Sequence, residues 1–554
     1  MSLRAERLVV EGPPNDTSAA RIAYDRPMML SLRRTASGLF AWLRAEEPDL
    51  AVGLLAIAAA LAAAAVCLPR GFERGGIQVP AVAAWGVMGL GVAIAALAAL
   101  RPWPALLVWI VFMPFFTAAR IGPVVGWVQV TSSTVILATL VCSCLLGFRR
   151  ARPAVAAPPL ALGGLIVLLA IISTVVSPDL STGVSITLHG IVEPVAIAIL
   201  LVLLRPGLRG LVALAVAMSV SVAIAGAVNL ARMLLVVHAL SDFETLRGEL
   251  GRITYYNVGL FGGMLVMVLP LAAVVIARPD LPAGVLERAA SAVATAAGRT
   301  ATAWRPETAA RATRAVRFSA WAVFAFALLV IDLTFSKSAW IAALVLGLAL
   351  ALAVPGTWRR RAAGLVGVAA VAGLFVATSI VTFAPSSDRN GSLDPNSVEG
   401  ETSITGRFLA TEAALQMTVD HPLVGVGPGQ FGVEFSGPYH NPQVKEALQS
   451  AHDMIPNVAA EYGLPLALVF SLTVLAALLV AWRRWRAGVG LAGLLALGFG
   501  LALVGFMVVA TLFGTDLYRT YRYMNTDLLY LGLILGAIAV LATRVEPPQA
   551  TSGD

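Results

Sequence analysis

Charge is what this chain has least of. Only 13% of its 554 residues are charged, whereas a soluble domain carries about a quarter. Lysine occurs only at positions 337 and 445, so arginine supplies nearly all of the positive charge. The three cysteines all fall in apolar runs, and no histidine or cysteine spacing matches a metal site. Neither a disulfide framework nor a bound metal is therefore expected.

Nucleotide-binding and hydrolase motifs are missing as well. The chain has no P-loop, no glycine fingerprint for a dinucleotide and no nucleophile elbow, so no cofactor is expected. The formal net charge is +8, but the arginines are spread over short loops rather than gathered on one face. This distribution argues against nucleic acid as a partner.

Apolar runs of about 20 residues fill most of the chain, and a bilayer core requires this length. Hydrophobic residues make up 58% of the sequence, and the mean hydropathy is +0.84. The pattern predicts an all-α polytopic membrane protein of about fourteen transmembrane helices, surrounded by membrane lipid. The predicted segments are residues 50–68, 80–100, 103–119, 130–148, 160–177, 184–204, 210–238, 257–277, 318–335, 338–354, 362–384, 457–482, 488–514 and 526–543.

The basic residues in the loops predict the orientation. With both termini in the cytoplasm, the cytoplasmic tails and inner loops together hold more than twice as many arginines and lysines as the outer loops. The resulting division is a cytoplasmic tail (1–49), N-terminal helices (50–238), central helices (239–384) with a basic cytoplasmic loop (278–317), an extracytoplasmic loop (385–456), C-terminal helices (457–543) and a second cytoplasmic tail (544–554).

The extracytoplasmic loop is too long to be a simple connection, and loops of this length are usually functional or disordered. Its first part has a disordered composition. From Thr405 the pattern changes, because Thr405 can cap a helix that His421-Pro422 then ends. The sequence GVGPG at 425–429 predicts a tight turn. Asn441-Pro442 predicts the start of a second surface helix, reaching about Ala451.

Three of the outer loops together present five arginines that are candidate ligands, and the positive-inside bias works against arginine there. They are Arg247, Arg252, Arg407, Arg519 and Arg522. Because a guanidinium forks onto phosphate oxygens, together they would suit a pyrophosphate held at the outer leaflet. The alternative is that they pair with nearby carboxylates or with lipid head groups.

One histidine is a candidate for acid–base chemistry. His452 lies at the foot of the 457–482 segment, and an imidazole titrates near neutral pH, so it could take a proton from a sugar hydroxyl. The alternative is an interfacial histidine with a hydrogen-bonding role. His189 and Glu193, four residues apart, share one helix face and predict a polar pair inside the bundle.

Four passages resemble a known family. GRFLATEAALQMTVDHPLVGVGPGQF and SAHDMIPNVAAEYGLPLALVF resemble consecutive motifs of the O-antigen ligase and polymerase superfamily of membrane glycosyltransferases. In the second motif a histidine precedes a glycine by eleven positions, as His452 precedes Gly463, and Glu461 also fits. TFSKSAW is similar to a helix start of the family, with Lys337 where arginine is common, and the passage LRGELGRITYYNVG matches at Asn257. The resemblance covers roughly residues 240–480.

The resemblance implies an activity and a partner set. The family transfers a glycan from an undecaprenyl-diphosphate carrier to an acceptor hydroxyl outside the bacterial inner (plasma) membrane, without a metal. The implied partners are the lipid-linked glycan donor and a glycan or glycolipid acceptor. By the same resemblance His452 is the base, and Arg407 binds the diphosphate with Arg247 or Arg252. Further candidate substrate contacts are Arg519, Arg522, Asp453, Glu461 and Asn257.

Two positions depart from the ligase motif. Asp453 stands where Asn, Ser or Gln is preferred, and Leu466 stands where a small residue or tyrosine is preferred. Both count against a lipid A core acceptor in particular. The alternatives are a polysaccharide polymerase of the same superfamily, a flippase or transporter for a lipid-linked glycan, and a non-catalytic scaffold. Transporters usually place polar residues near the bilayer midplane; here they cluster in outer loops, which favours an enzyme.

Overall fold

The computed structural model describes a large part of the chain. The described residues are 73–74, 77–78, 89–91, 93–94, 96–98, 101–116, 120–125, 128–151, 157–236, 258–280, 283, 287, 306–334, 336–353, 357–383, 398–442, 444, 448–488, 490–513 and 526–543. Both terminal tails, the 50–68 segment, most of the 278–317 loop and the 239–257 and 514–525 segments therefore lie outside them.

Helices dominate these residues, as the apolar runs predict. In chain order they are α1 (Gly89–Ala98), α2 (Pro102–Phe116), α3 (Ser132–Ala151), α4 (Ala157–Val175), α5 (Leu180–Thr187), α6 (Glu193–Leu204), α7 (Leu208–Val236), α8 (Val258–Ala277), α9 (Pro306–Leu333), α10 (Lys337–Ala353), α11 (Trp358–Phe383), α12 (Val398–Asp420), α13 (Phe431–Ser436), α14 (Met454–Tyr462), α15 (Leu464–Ala487), α16 (Leu491–Phe513) and α17 (Thr526–Thr543). A π-helical turn, Leu188–Val192, joins α5 to α6.

Within the described part of the chain, eight helices are long and apolar enough to cross a membrane, counting α5, the π turn and α6 as one. The others are α4, α7, α9, α11, α15, α16 and α17, and α1, α2, α8 and α10 are shorter apolar helices. The multi-pass helical class is thus confirmed. The count of fourteen and the orientation stay predictions.

Two small β-hairpins depart from the predicted all-α class. The strands Glu73–Arg74 (β1) and Ile77–Gln78 (β2) pair antiparallel, as do Arg120–Val125 (β3) and Val128–Thr131 (β4). The register of the second pair shifts between Ile121 and Val125.

The membrane helices share one apolar cluster in which α8 is central, and a second, smaller cluster lies beside it around α12 and α13. α8 packs against α7, α9, α10 and α16, while α6 packs along α17. Small residues set the closest approaches, as is usual in helical membrane proteins. A Cβ built on Gly532 would lie 2.3 Å from the carbonyl oxygen of Pro194, so any side chain at this position would separate α17 from α6.

The helix before the glycine turn starts earlier than predicted. α12 begins at Val398, so Thr405 lies within the helix and is not its N-cap. Residues from 398 onward, which the composition assigned to a disordered stretch, instead continue the helix. Its end at Asp420 confirms that His421-Pro422 stops it.

The second predicted surface helix is wrong. Among the described residues between Asn441 and Ala451 none is helical, and a short helix, α13, follows the glycine turn instead. The backbone groups of this segment bond elsewhere: the N–H of Ala451 donates to the side chain of Asn457 at 3.0 Å. A local propensity at Asn441-Pro442 is thus outweighed by tertiary hydrogen bonds.

The predicted segment 457–482 is two helices. α14 ends at Tyr462, and α15 begins at Leu464. Gly463 between them has φ +88°, and a Cβ there would lie 2.4 Å from the carbonyl oxygen of Leu423. Backbone geometry that only glycine adopts readily therefore separates the histidine-bearing helix from the membrane helix.

The bundle has two ends, which can be assigned from contacts. Ser173, near the end of α4, donates to the carbonyl of Val424 at 2.7 Å. The loop of Val424 bonds the end of α14, the helix that follows His452, so this end of the bundle is named the His452 face. At the other end, Arg484 donates to the carbonyl of Ala542 at 2.9 Å, so α15 and α17 finish together. This second end is named the opposite face.

Candidate functional site

His452 stands immediately before α14 in an unusual backbone conformation. Its φ is +55°, one of two positive values among the described non-glycine residues. Such a conformation costs about 1–2 kcal/mol for an L-residue and recurs at functional sites. The side chain is largely buried, at 9% exposed. The chain therefore holds this imidazole in one place rather than leaving it on a mobile surface.

Asp453 explains part of that rigidity. It is the N-cap of α14, and its Oδ1 accepts the N–H of Ile455 at 3.3 Å. Desolvation by burial raises the pKa of this carboxyl, and the hydrogen bond from Ile455 offsets only part of that effect. The residue that departs from the family motif thus has a structural task, since it fixes the backbone directly after His452.

The glycine turn folds back onto the far end of α14. The N–H of Val426 donates to the carbonyl of Ala460 at 2.8 Å, and the N–H of Gly427 donates to that of Glu461 at 3.1 Å. Gly425 has φ +70°, and a Cβ on it would lie 2.4 Å from the carbonyl carbon of Glu461. The two motifs, separated in sequence, form one interlocked unit, and the predicted turn at 425–429 is confirmed.

Glu461 lies inside this unit. Its side chain is fully buried, and its Oε1 accepts the N–H of Phe431 at 3.3 Å. A carboxylate at this position favours the N-terminus of α13, where unpaired N–H groups and the helix dipole attract negative charge. Its geometry therefore fixes α13 against α14.

A layer of hydroxyl groups joins the unit to the membrane helices. Ser173 donates to the carbonyls of Val424 and Glu461, at 2.7 and 3.1 Å. The hydroxyl of Tyr462 bonds that of Thr187 at 3.1 Å, and Thr187 bonds Thr174 at 2.6 Å. Buried polar networks of this kind fix orientation because every displaced member leaves a desolvated group.

Surface helix α12 brings Arg407 towards His452. One side of α12 packs against α14 through Ala410, Ala413, Ala414 and Met417, which belong to a cluster with Ala451 and Ala460. Thr411 donates to the carbonyl of Ala451, the residue before His452, at 3.3 Å. Arg407 precedes Thr411 by four residues, which on a helix is about 5–6 Å. Arg407 thus lies one helical turn from Thr411, which contacts the residue before His452, and the Arg407 side chain is half-buried.

An apolar groove opens beneath α14. It has a volume of about 480 Å³ and lies between α4, α6, α14, α15 and α17. Met454 and Val458 of α14 line its end at the His452 face, and Leu466 to Val480 of α15 line its length. Fourteen residues of helix span about 21 Å, so the groove runs through most of a bilayer core.

The predicted pair of His189 and Glu193 is present. Nδ1 of His189 lies 3.1 Å from Oε1 of Glu193, both residues are buried, and Thr134 donates to the same carboxylate oxygen. His189 lies within the π-helical turn and Glu193 directly follows it, and their neighbours Gly190 and Pro194 line the groove. Buried ionisable groups at membrane depth are functional candidates, and this pair stands behind the groove wall.

Five other predicted site residues lie outside the described part of the chain: Arg247, Arg252, Asn257, Arg519 and Arg522. Two further histidines of the loop, His421 and His440, are exposed. The sequence reading did not single out Tyr462, Thr187 or Ser173, because hydroxyl residues scattered over three helices form no motif. The only local signal was a Glu-Tyr pair, 461–462, before an apolar span.

Two comparisons with known proteins bear on this arrangement. Residues 322–471 match the sequence model of a family described as O-antigen ligase. The match runs from the second half of α9, through α12 and the glycine turn, to the start of α15. No curated protein matches the chain.

Proposed function

We propose, from the match of residues 322–471 to the sequence model of the O-antigen ligase family, that the chain is a membrane glycosyltransferase of the inner membrane. It transfers a glycan from an undecaprenyl-diphosphate carrier to an acceptor hydroxyl on the extracytoplasmic face. His452 is the general base, and Arg407 binds the diphosphate together with Arg247 or Arg252. Arg519, Arg522 and Asn257 are further substrate contacts.

One observation carries the proposal. His452 has a strained backbone conformation, follows Ala451, which α12 contacts through Thr411, and precedes by two residues Met454, which lines the end of a long apolar groove. A lipid-linked donor has three parts in order: an apolar tail, a diphosphate and a sugar. With the tail between α15 and α17, the diphosphate would emerge beside Met454 and face α12, which places the sugar near His452.

The reaction needs few groups. Nε2 or Nδ1 of His452 accepts the proton of the acceptor hydroxyl as the hydroxyl oxygen attacks the anomeric carbon of the donor sugar. The bond between that carbon and the diphosphate oxygen breaks, and undecaprenyl diphosphate leaves with the bonding electrons. Negative charge develops on the leaving oxygen, and fixed guanidiniums stabilise it. We expect transfer to continue in the presence of EDTA.

Asp453 and Glu461 act mainly through structure in this scheme. The cap at Asp453 fixes the direction in which α14 begins, and Glu461 fixes α13 and the turn around it. If either side chain also contacts substrate, it has a binding role in addition to its structural one. Replacement by the amide tests this, because Asn and Gln keep a hydrogen-bond acceptor and lose the charge.

The deciding experiment incubates the purified protein in nanodiscs with a lipid-linked oligosaccharide and candidate acceptors. One added block indicates a ligase and a ladder of sizes indicates a polymerase, which is the alternative within the superfamily. His452→Ala should abolish turnover while donor binding persists, and His421→Ala, an exposed histidine of the same loop, is the matched control. Full activity of His452→Ala would contradict the proposed base, and transport without transfer would identify a flippase.

A further inference from the structure

The backbone on both sides of His452 is held by side chains. Ala451, directly before it, is fully buried and lies outside any helix or strand. Its N–H and carbonyl groups therefore cannot bond water, and buried backbone groups need partners. Asp453, directly after His452, is held as the N-cap of α14. His452, with its φ of +55°, thus lies between two fixed neighbours.

Two side chains from different helices bond the backbone groups of Ala451. The N–H of Ala451 donates to Oδ1 of Asn457 in α14 at 3.0 Å. The hydroxyl of Thr411 in α12 donates to the carbonyl oxygen of Ala451 at 3.3 Å. Asn457 is only 1% exposed, so water does not compete for the first of these bonds. Thr411, Ala451 and Asn457 are together named the Ala451 clamp.

The amide of Asn457 can hold Ala451 in one orientation only. A backbone N–H is a donor, so its partner must be the amide oxygen, and Nδ2 points elsewhere. Nδ2 is buried and has no hydrogen-bond partner among the described residues. A buried donor without a partner is unfavourable, and a leucine of similar volume would avoid it. The bond to Ala451, and not packing, therefore accounts for an asparagine at this position.

The hydroxyl of Thr411 adds a directional contact to an apolar interface. α12 packs on α14 through small apolar side chains and Met417. Apolar burial is non-directional, so it holds the two helices together without fixing how one is placed along the other. A hydrogen bond requires a particular distance and angle. The bond from Thr411 thus fixes α12, the helix that carries Arg407, relative to the backbone at His452.

We infer that Thr411 and Asn457 are positioning residues for His452, because they hold Ala451 from two sides and so keep the imidazole in the orientation that proton transfer requires. This inference rests on the proposed role of His452 as the base. Without the clamp, the backbone at His452 can relax to the negative φ that L-residues favour. That rotation redirects the side chain, although neither Thr411 nor Asn457 needs to touch substrate.

The first experiment compares two substitutions at Thr411. Thr411→Val keeps the shape of the side chain and removes its hydroxyl, whereas Thr411→Ser keeps the hydroxyl. In Thr411→Val, kcat for glycan transfer should fall roughly tenfold, since a misplacement of about 1 Å can cost about a hundredfold. The donor dissociation constant should stay nearly unchanged, because the variant loses orientation and not binding. Thr411→Ser should retain most of the rate.

Thr418→Val is the matched control for this comparison. Thr418 lies on the same helix, and its hydroxyl donates to the carbonyl of Ala414 within α12 at 2.7 Å. Its loss should leave kcat unchanged, because this bond does not reach the clamp. Equal losses of kcat in Thr411→Val and Thr418→Val, or no loss in Thr411→Val, would overturn the inference.

The second experiment does not depend on glycan transfer. Diethyl pyrocarbonate modifies accessible neutral imidazoles, and mass spectrometry of the full chain measures each histidine separately. His452 is 9% exposed and should react slowly, while His421 is exposed and serves as the internal reference. Thr411→Val and Asn457→Leu should accelerate the modification of His452 and leave that of His421 unchanged.

The two experiments separate the clamp from the proposed function. If neither variant changes the reactivity of His452, the clamp does not position this imidazole and the inference is wrong. If both variants accelerate modification of His452 but His452→Ala still transfers glycan at the full rate, the proposed base is wrong, whereas the hold of the clamp on the imidazole is supported.

Discussion

The N–H of Val426 donates to the carbonyl of Ala460 at 2.8 Å, and this bond joins two motifs that lie more than thirty residues apart. Ala460 is near the end of α14, where helical carbonyls lack partners within the helix. The glycine turn supplies those partners, and Gly427 does the same for Glu461. The helix that follows His452 is therefore completed at its far end by the turn that follows α12.

A first prediction concerns the space that this bond requires. Gly425→Ala should destabilise the protein by at least about 1–2 kcal/mol, because its φ of +70° is unfavourable for alanine. The added Cβ would also overlap the backbone of Glu461, at 2.4 Å. Thermal unfolding in detergent and the transfer rate should both fall. Gly406→Ala is the matched control: its Cβ meets nothing closer than 3.9 Å, and alanine favours a helix. Equal losses in both variants would contradict the prediction.

A second prediction separates positioning from stability at two buried tyrosines. Tyr462 bonds Thr187 at 3.1 Å, and Tyr530 donates to the carbonyl of Met218 at 3.3 Å. Replacing either by phenylalanine should reduce stability by about 1 kcal/mol. Only Tyr462→Phe should lower kcat, because only its hydroxyl positions α14 behind His452.

The coupling can be measured directly. A double-mutant cycle with Thr187→Val should return a coupling free energy of about 0.5–1.5 kcal/mol for Tyr462. The same cycle between Thr187 and Tyr530 should return a value near zero, because the two side chains share no partner. If Tyr530→Phe lowers kcat as strongly as Tyr462→Phe, the proposed positioning role is wrong.

Among the described residues, the sequence predicted most membrane helices correctly, and the reason is physical. Without water in the bilayer core, backbone groups must bond within a helix, so apolar length alone places a segment such as 526–543, which matches α17 closely. It also predicted the stop at His421-Pro422, because proline acts on its immediate neighbour. Both signals are local.

The loop was predicted less well because its decisive bonds are long-range. Nothing near Asn441 indicates that Ala451 will bond Asn457 and Thr411 instead of joining a helix. Similarly, Gly463 lies in an apolar run that reads as one span, and only the approach of Leu423 explains the break there. The family resemblance predicted the motif residues of the site, whereas the hydroxyl layer and the groove are visible only in the structure.

A third prediction uses the raised pKa of Asp453. Burial penalises its ionised form, so its contribution to stability is present when the carboxyl is protonated and is lost as pH rises above the ordinary value of about 3.9. Asp453→Asn keeps an N-cap and removes this penalty. At pH 7 the variant should unfold at the same temperature as the unaltered protein or higher, and the unaltered protein should gain relative to it on acidification towards pH 4. Asp453→Ala should be about 1 kcal/mol less stable than Asp453→Asn at every pH, because it lacks the N-cap and neither side chain titrates. The opposite pH trend would contradict the assignment.

A fourth prediction tests whether the groove beneath α14 holds the lipid tail. Ala476 lines the groove on α15, whereas Leu472 on the same helix is 60% exposed and does not line it. Ala476→Trp should raise KM for a long-chain polyprenyl donor and leave KM for a short-chain analogue nearly unchanged. Leu472→Trp should alter neither. Equal KM changes for both chain lengths would show that the tail binds elsewhere.

The last prediction concerns Arg407, which the packing of α12 brings to within a helical turn of Thr411 and hence of Ala451. Arg407→Ala should weaken donor binding by roughly tenfold or more, the range for a hydrogen bond to a charged group of about 1.5–3 kcal/mol. Arg407→Lys should recover only part of the loss, because lysine keeps the charge but not the planar fork. The same two substitutions at Arg247 and Arg252 identify which of them shares the diphosphate, since only the partner should repeat this pattern. The readouts are the donor dissociation constant and the unfolding temperature of each variant. If Arg407 binds the diphosphate, donor affinity should fall in the order Arg, Lys, Ala. If Arg407 has only a structural role, the unfolding temperature should fall and donor affinity should not follow this order.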